Sequence, residues 1–158
     1  NMLDQGATCT METWPSGTAP GSGGTGGTWS HPWCAGPNSA IIRLLLGVQP
    51  IEAGWTRFQI APQPSMLKTI NASVPFVLGG TATQVILEIS QTTRSITVSI
   101  SIPAGTVAEV CLPAPQGAEA SDMVKMTLDG KPVAAVARGR MMCLESDVVA
   151  GAHVVARA

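Results

Sequence analysis

The sequence predicts a mainly β protein, an antiparallel β-sandwich preceded by a loop-rich helical stub. From residue 55 onward, short runs of alternating apolar and polar residues recur, and Gly or Pro turns separate them. Residues 1–46 lack this alternation, and residues 15–28 consist mostly of Gly, Pro, Ser and Thr. The pattern changes near residue 50, so we predict two regions, residues 1–50 and residues 51–158.

One short helix is predicted before the sandwich. Residues 37–39 read Pro-Asn-Ser, a typical helix start in which Asn38 or Ser39 would be the N-cap. Residues 40–46 are almost all apolar, so this helix is expected to be buried on nearly every side. Gly47 suits the position after a helix end. The chain has too few other helices to surround this one, which predicts a helical region upstream.

The β region is predicted to contain nine short strands. In chain order they cover residues 55–60, 66–74, 84–90, 95–102, 106–112, 123–128, 131–137, 141–144 and 153–156. Residues 103–105, Pro-Ala-Gly, are expected to turn the chain between two of them, and Asp129-Gly130 is a strong hairpin signal. His153 is interpreted as an edge-strand residue rather than a ligand. Short strands at regular spacing are typical of a sandwich.

Composition and charge argue against several kinds of partner. Charged residues make up 12% of the chain and hydrophobic residues 45%, which suits a chain with much buried surface. The net charge is −1 and basic residues do not cluster, so we expect no nucleic-acid partner. No apolar run approaches the roughly 18–20 residues of a membrane helix, so no membrane span is expected.

The four cysteines leave their redox state open. Cys9 and Cys34 flank the glycine-rich loop, whereas Cys111 and Cys143 fall in predicted strands. A disulfide could form in either pair, but buried free thiols are the favoured interpretation. The spacings are too wide for a Cys-x-x-Cys metal site, and we expect neither a metal nor another cofactor.

The compartment is only weakly indicated. Residues 71–73 read Asn-Ala-Ser, an N-glycosylation acceptor sequence that slightly favours a secreted or extracellular protein. No signal peptide is recognisable. Residues 1–4 look like the end of a helix, so the natural N-terminus is expected upstream.

Two Trp-flanked polar residues form the candidate site. Glu12 lies beside Trp14, and His31 lies beside Trp33 after the flexible loop. Trp faces stack on the apolar side of a pyranose, a carboxylate can act as general base, and a His can donate to a hydroxyl. The structural alternatives are a solvated carboxylate at a helix end, a capping or packed His, and core Trp residues.

The same segments resemble a known family. Residues 6–14, Gly-Ala-Thr-Cys-Thr-Met-Glu-Thr-Trp, and residues 30–33, Ser-His-Pro-Trp, resemble the end of the catalytic (α/α)6 barrel of the α-L-rhamnosidases of glycoside hydrolase family 78. Met11 stands where that family usually has Trp. Residues 46–62 resemble the family's connection from the last barrel helix to a C-terminal β-sandwich. Parts of that sandwich resemble residues 102–113 and 149–153.

The resemblance implies an inverting glycoside hydrolase that removes terminal α-L-rhamnose from glycosides or polysaccharides. Glu12 aligns with the family's general base and His31 with a sugar-contacting residue, while Trp14 and Trp33 would line the pocket or support those two. The family's general acid lies upstream, and nothing in this chain resembles it. We therefore expect a missing upstream catalytic barrel segment as partner, and an inactive protein when this chain is alone.

A non-catalytic module is the alternative interpretation. The β-sandwich could serve as a carbohydrate-binding or assembly module, and the Met11 departure is compatible with a degenerate rhamnosidase homologue. The chain has no Tyr, two Phe and four Trp, and three of the Trp precede residue 50. This distribution argues against an autonomous sugar-binding face on residues 51–158.

Overall fold

The structure is a computed structural model that describes residues 35–115 and 125–158. The chain divides into two compact units, Asn1–Ile41 and Ile42–Ala158. Nearly all described residues belong to the second unit, which is the β-rich part of the protein.

The predicted helix begins earlier than expected and is not buried. Helix α1 spans Gly36–Ala40 and continues as a π-helical segment, Ile41–Leu45. Ala35 is at the N-cap position, and no side chain caps the helix. The prediction of a cap at Asn38 or Ser39 was therefore wrong. A proline in the first turn has no N–H, so the helix has one backbone donor fewer for a cap to satisfy. Neither segment contains a buried residue. Ile42 packs against the sandwich core, whereas Ile41 and Leu44 are 48% and 64% exposed.

Gly47 ends the helical segment as the sequence predicted. Its φ is +66°, a left-handed conformation that glycine adopts at little cost. A Cβ atom at this position would collide with the backbone of Ala61. Glycine is therefore required here both for the backbone conformation and for the close approach of the next segment.

Ten strands follow within the described residues. They are β1 (Val48–Pro50), β2 (Arg57–Ile60), β3 (Thr69–Leu78), β4 (Thr81–Gln91), β5 (Ile96–Pro113), β6 (Met126–Leu128), β7 (Lys131–Val133), β8 (Ala135–Arg138), β9 (Met141–Leu144) and β10 (Val148–Arg157). Every predicted strand overlaps at least one of these. The short β1 was not predicted, and the predicted strand over residues 131–137 is divided into β7 and β8.

Strand β5 is the centre of the sandwich. The main strand order is β1-β2-β5-β10-β6-β7, while β4 pairs with β5 and β3, and β9 pairs with β5 and β8. All pairings are antiparallel except that of β2 with β5, which is parallel. The sheet is therefore mixed, and the prediction of a purely antiparallel arrangement needs this correction.

The expected turn at residues 103–105 is a bulge within one long strand. The pairing of β5 with β10 changes register there: Val149 is opposite Val107, but Gly151 is opposite Ile102. The extra residues on β5 include Gly105, whose φ is +81°. Bulges let one strand bend between the two layers of a sandwich, so the predicted turn was wrong because the chain bends without reversing.

The core of the described residues lies between the layers. Buried residues alternate with more exposed ones in β4 and in the first half of β5, as the sequence pattern predicted. Their side chains and those of β1, β2 and β3 form one continuous apolar cluster. Burying one large aliphatic or aromatic side chain contributes about 1.5–3 kcal/mol, so this cluster is the main stabilising feature of the sandwich.

A disulfide joins Cys111 of β5 to Cys143 of β9. The two residues are directly opposite in the antiparallel pairing, and both are buried. The preference for free thiols was therefore wrong for this pair, because strand register brings the two sulfur atoms together. Cys9 and Cys34 lie outside the described residues.

Candidate functional site

The predicted catalytic and sugar-binding residues lie outside the part of the chain that the structure describes. These are Glu12, Trp14, His31 and Trp33. Their mutual geometry stays a prediction. The residues that the structure does describe include two clusters of charged and polar side chains on the sandwich.

The first cluster is a charged network that joins β2, β5, β8 and the turn before β10. Arg57 donates two hydrogen bonds to Asp147, from Nε at 2.7 Å and from Nη2 at 3.0 Å. The same Nη2 lies 3.5 Å from Oε2 of Glu109. Arg138 donates from Nη1 to that Oε2 atom at 2.7 Å. Two cations and two carboxylates thus alternate along the network.

Two glutamines extend this network across the sheet. Gln49, Gln59 and Glu109 are neighbours because β1, β2 and β5 align them in register. Gln59 Nε2 donates to Glu109 Oε1 at 3.0 Å, and Gln49 Nε2 donates to Gln59 Oε1 at 2.9 Å. Each carboxylate oxygen of Glu109 therefore has a donor.

Glu109 is buried yet ionised. Only 9% of the residue is exposed, and burial by itself raises the pKa of the carboxyl group. The hydrogen bonds from Arg138 and Gln59, with the charges of Arg138 and Arg57, outweigh burial and bring the pKa of Glu109 below its ordinary value. An ionised carboxylate with both oxygens occupied is a poor proton donor, so this network is suited to holding strands together.

The second cluster fastens the β6–β7 hairpin. Asp129 and Gly130 form its turn with φ values of +52° and +75°, which confirms the hairpin predicted from Asp-Gly. Asp129 Oδ1 accepts the backbone N–H of Val154 at 2.8 Å, and Oδ2 lies 2.9 Å from Nδ1 of His153. The hydrogen bond with His153 is the largest contribution that lowers the pKa of Asp129.

His153 does not lie at an open edge as predicted. It pairs with Ile100 of β5 on one side, and the Asp129 turn covers its other side. Its Nε2 lies 3.1 Å from the carbonyl oxygen of Val149, in the bulged part of β10. The imidazole thus connects the hairpin turn to the bulge.

Trp55 belongs to the core rather than to an open sugar-binding face. It is half-buried and stacks on Phe76, with ring centroids 4.6 Å apart and an interplanar angle of 19°. Phe58 completes the group at 6.1 Å from Trp55. These three aromatic rings pack against one another in this part of the sandwich.

Among residues 35–115 and 125–158, no group of three or more His, Cys, Asp or Glu side chains is arranged to hold a metal ion. None of the helices in these ranges has the length and apolar character needed to cross a membrane.

Sequence reasoning did not identify the charged network. Glu109 offered a signal, because a single carboxylate in an otherwise apolar strand requires partners. Arg138 is 29 residues away along the chain, and Arg57 and Asp147 are separated by 90 residues. No local pattern could connect these positions, which meet only because β2, β5 and β8 are brought together.

Comparisons with known proteins agree with the fold. The family model of the bacterial alpha-L-rhamnosidase C-terminal domain matches residues 47–126. No curated protein matches the sequence. The chain is similar in structure to the alpha-L-rhamnosidase from Dictyoglumus thermophilum, with a TM-score of 0.73 and 18% identity over 99% of this chain and 17% of that one.

Two other solved structures give the same result. The Streptomyces avermitilis alpha-L-rhamnosidase complexed with L-rhamnose matches with a TM-score of 0.70 and 23% identity, over 98% of this chain and 14% of that chain. The Aspergillus terreus alpha-L-rhamnosidase matches with a TM-score of 0.60 and 20% identity, over 98% and 15%. The chain thus spans 14–17% of the length of these proteins. Since the family model covers half of the sequence and the fold agrees, the chain belongs to the α-L-rhamnosidase C-terminal domain family.

Proposed function

We propose that this chain is the C-terminal part of an inverting α-L-rhamnosidase, in which Glu12 is the general base. His31 contacts the rhamnose of the glycoside, and Trp14 and Trp33 line or support the pocket. The observation that carries the proposal is the family match over residues 47–126, together with a structural match that extends over 99% of the chain. That extent supports assigning residues 1–50 to the end of a catalytic barrel and residues 51–158 to the sandwich.

In this proposal the sandwich supports the catalytic region and supplies none of the reacting groups. Among the described residues of the sandwich, Glu109 is the buried carboxylate, and Arg138 and Gln59 donate hydrogen bonds to it. The Trp55 ring is stacked within the core. The reacting groups would thus come from residues 1–50 and from the upstream barrel.

The proposed chemistry requires two carboxyl groups on opposite sides of the glycosidic bond. In inverting enzymes they stand about 6.5–9.5 Å apart, so that a water molecule fits between the base and the sugar. Glu12 would take a proton from that water while an upstream carboxylic acid protonates the leaving oxygen. Without the acid, the chain alone would lose the cooperation on which the rate depends.

The test uses the longer protein that includes the region upstream of residue 1. Glu12→Gln should lower kcat on an aryl α-L-rhamnoside by about 10²–10⁴-fold, the usual contribution of a general base. Glu88→Gln is the matched control, because Glu88 is exposed on β4. NMR of the first-formed sugar should show the inverted anomer. Full activity in the Glu12→Gln protein, or a retained anomer, would contradict the proposal.

A non-catalytic assembly module is the second candidate. The observation that favours it is Leu44, which lies 64% exposed in the π-helical segment, as expected if another element covers it in a larger assembly. The same preparations distinguish the two functions. Assembly without catalysis would be favoured if the longer protein requires this sandwich in order to fold, yet neither the wild type nor the Glu12→Gln protein hydrolyses a rhamnoside.

A further inference from the structure

The imidazole of His153 lies between two hydrogen-bond acceptors. Nδ1 is 2.9 Å from Oδ2 of Asp129, and Nε2 is 3.1 Å from the carbonyl oxygen of Val149. A backbone carbonyl can only accept, and an ionised carboxylate can only accept. Both hydrogen bonds therefore form together only when both ring nitrogens carry a proton.

We propose that His153 is a proton-operated latch that fastens the β6–β7 hairpin to the bulged start of β10. When both nitrogens are protonated, the imidazole donates to Asp129 in the hairpin turn and to Val149 in the bulge. When one proton leaves, one nitrogen presents a lone pair to an acceptor, and that hydrogen bond is lost. The ring then no longer joins the hairpin turn to the bulge at both points, so the turn, with its bond from the Val154 N–H to Asp129, opens more often.

The backbone around the latch is arranged for these contacts. Asp129 and Val154 exchange two further bonds, from the Asp129 N–H to the Val154 carbonyl oxygen and from the Val154 N–H to Oδ1, each at 2.8 Å. Gly151 has a φ of +141°, and a Cβ atom there would lie 3.1 Å from His153 Nε2. The absence of a side chain at Gly151 thus leaves the space that the ring occupies.

Few other charges act on the latch. Lys131 on β7 acts on Asp129 and helps keep it ionised. The β5 residues opposite this part of β10, residues 96–102, carry no ionisable side chain, and neither does β6. On β10 itself the other charged residue is Arg157, which is buried and donates to the carbonyl oxygen of Arg94. Within the described residues, Asp129 is the carboxylate in contact with the ring.

The direction of the pH effect follows from the two groups. Because the pKa of Asp129 is lowered, its contribution is present above the ordinary carboxyl range and is lost as the pH falls through its titration in the folded protein. The latch is closed while Asp129 is ionised and both ring nitrogens carry a proton, and it loosens when a rise in pH removes one of these protons.

The first test is NMR of the wild-type chain, which contains two histidines. A His31→Asn protein identifies the His153 signals. At about pH 5.5 both His153 nitrogens should show the shifts of protonated nitrogen. Between about pH 5.5 and 8, the exchange protection of the Val154 amide, corrected for intrinsic rates, should fall about three- to tenfold, as expected for one net hydrogen bond. A neutral ring at pH 5.5, or protection that changes less than about twofold, would overturn the latch.

The second test is a substitution that should reverse the pH dependence of Val154 protection. Asp129→Asn keeps a turn sequence that favours the same hairpin, and its Oδ1 can still accept the Val154 N–H. Its Nδ2 then donates to Nδ1 of a neutral ring, whose Nε2–H donates to Val149. Val154 protection in this protein should be higher at pH 8 than at pH 5.5. His153→Gln should remove the pH dependence, and persistence of the wild-type profile in either protein would refute the proposal.

Discussion

Two hairpins are attached to the long strands of this sandwich by different chemistry. The β8–β9 hairpin is joined to β5 by the Cys111–Cys143 disulfide and by the ion pair of Arg138 with Glu109. The β6–β7 hairpin is joined to β10 by strand pairing and by the contact of Asp129 with His153. The first attachment contains no group that titrates near neutral pH, whereas the second contains an imidazole. Near neutral pH, we therefore expect the attachment of the β8–β9 hairpin to respond to reduction and that of the β6–β7 hairpin to respond to protonation.

Removing the disulfide should have the largest effect. Cys111 and Cys143 are 32 residues apart, so a double replacement by Ser should lower the free energy of unfolding by about 3–4 kcal/mol on the chain-entropy estimate. Urea unfolding of the two proteins measures this difference. Exchange protection at Val154 in the native state should change much less, because the β6–β7 hairpin has separate attachments. Equal loss of protection at both hairpins would show that the two attachments are not independent.

Glu109→Gln should have a smaller but clear effect. The amide leaves Arg138 and Arg57 without their shared carboxylate, but Arg138 is 55% exposed and can be hydrated instead. We expect a loss of about 1–2 kcal/mol in urea unfolding, below the cost of breaking a fully buried pair. Glu88→Gln on the exposed face of β4 is the control and should be nearly neutral. A Glu109→Gln protein as stable as wild type would mean that the network contributes no net stability.

The sequence predicted the strands better than it predicted the attachments. Residues 95–102 and the Asp129-Gly130 hairpin were correct because alternation and turn chemistry are local. The turn at residues 103–105 was wrong because Pro and Gly also occur in bulges, and only the pairing with β10 distinguishes the two. The ion pairs of Glu109 and Asp147 join residues far apart in the chain and leave no periodic signal. The helical segment was predicted to be buried on nearly every side, but Leu44 is 64% exposed, because apolar composition by itself does not show which side of a helix packs against the core.

The smallest expected effect is the pH dependence of the stability that the Glu109 network contributes, which should differ from that of the His153 contact. The pKa of Glu109 is lowered, so its contribution is present above the ordinary carboxyl pKa of about 4.3 and is lost as the pH falls through its titration in the folded protein. The stability difference between wild type and Glu109→Gln should therefore be constant from about pH 6 to 8 and shrink in acid.

Urea midpoints measured across this pH range give that difference directly. His153 is present in both proteins, so its contribution cancels in the comparison and only that of the Glu109 network remains. A difference that changes between pH 6 and 8 would mean that the proton-sensitive hairpin and the Glu109 network act on each other through the central strands. A constant difference, together with a pH-dependent Val154 amide, would establish that one sandwich contains two attachments that respond to separate signals.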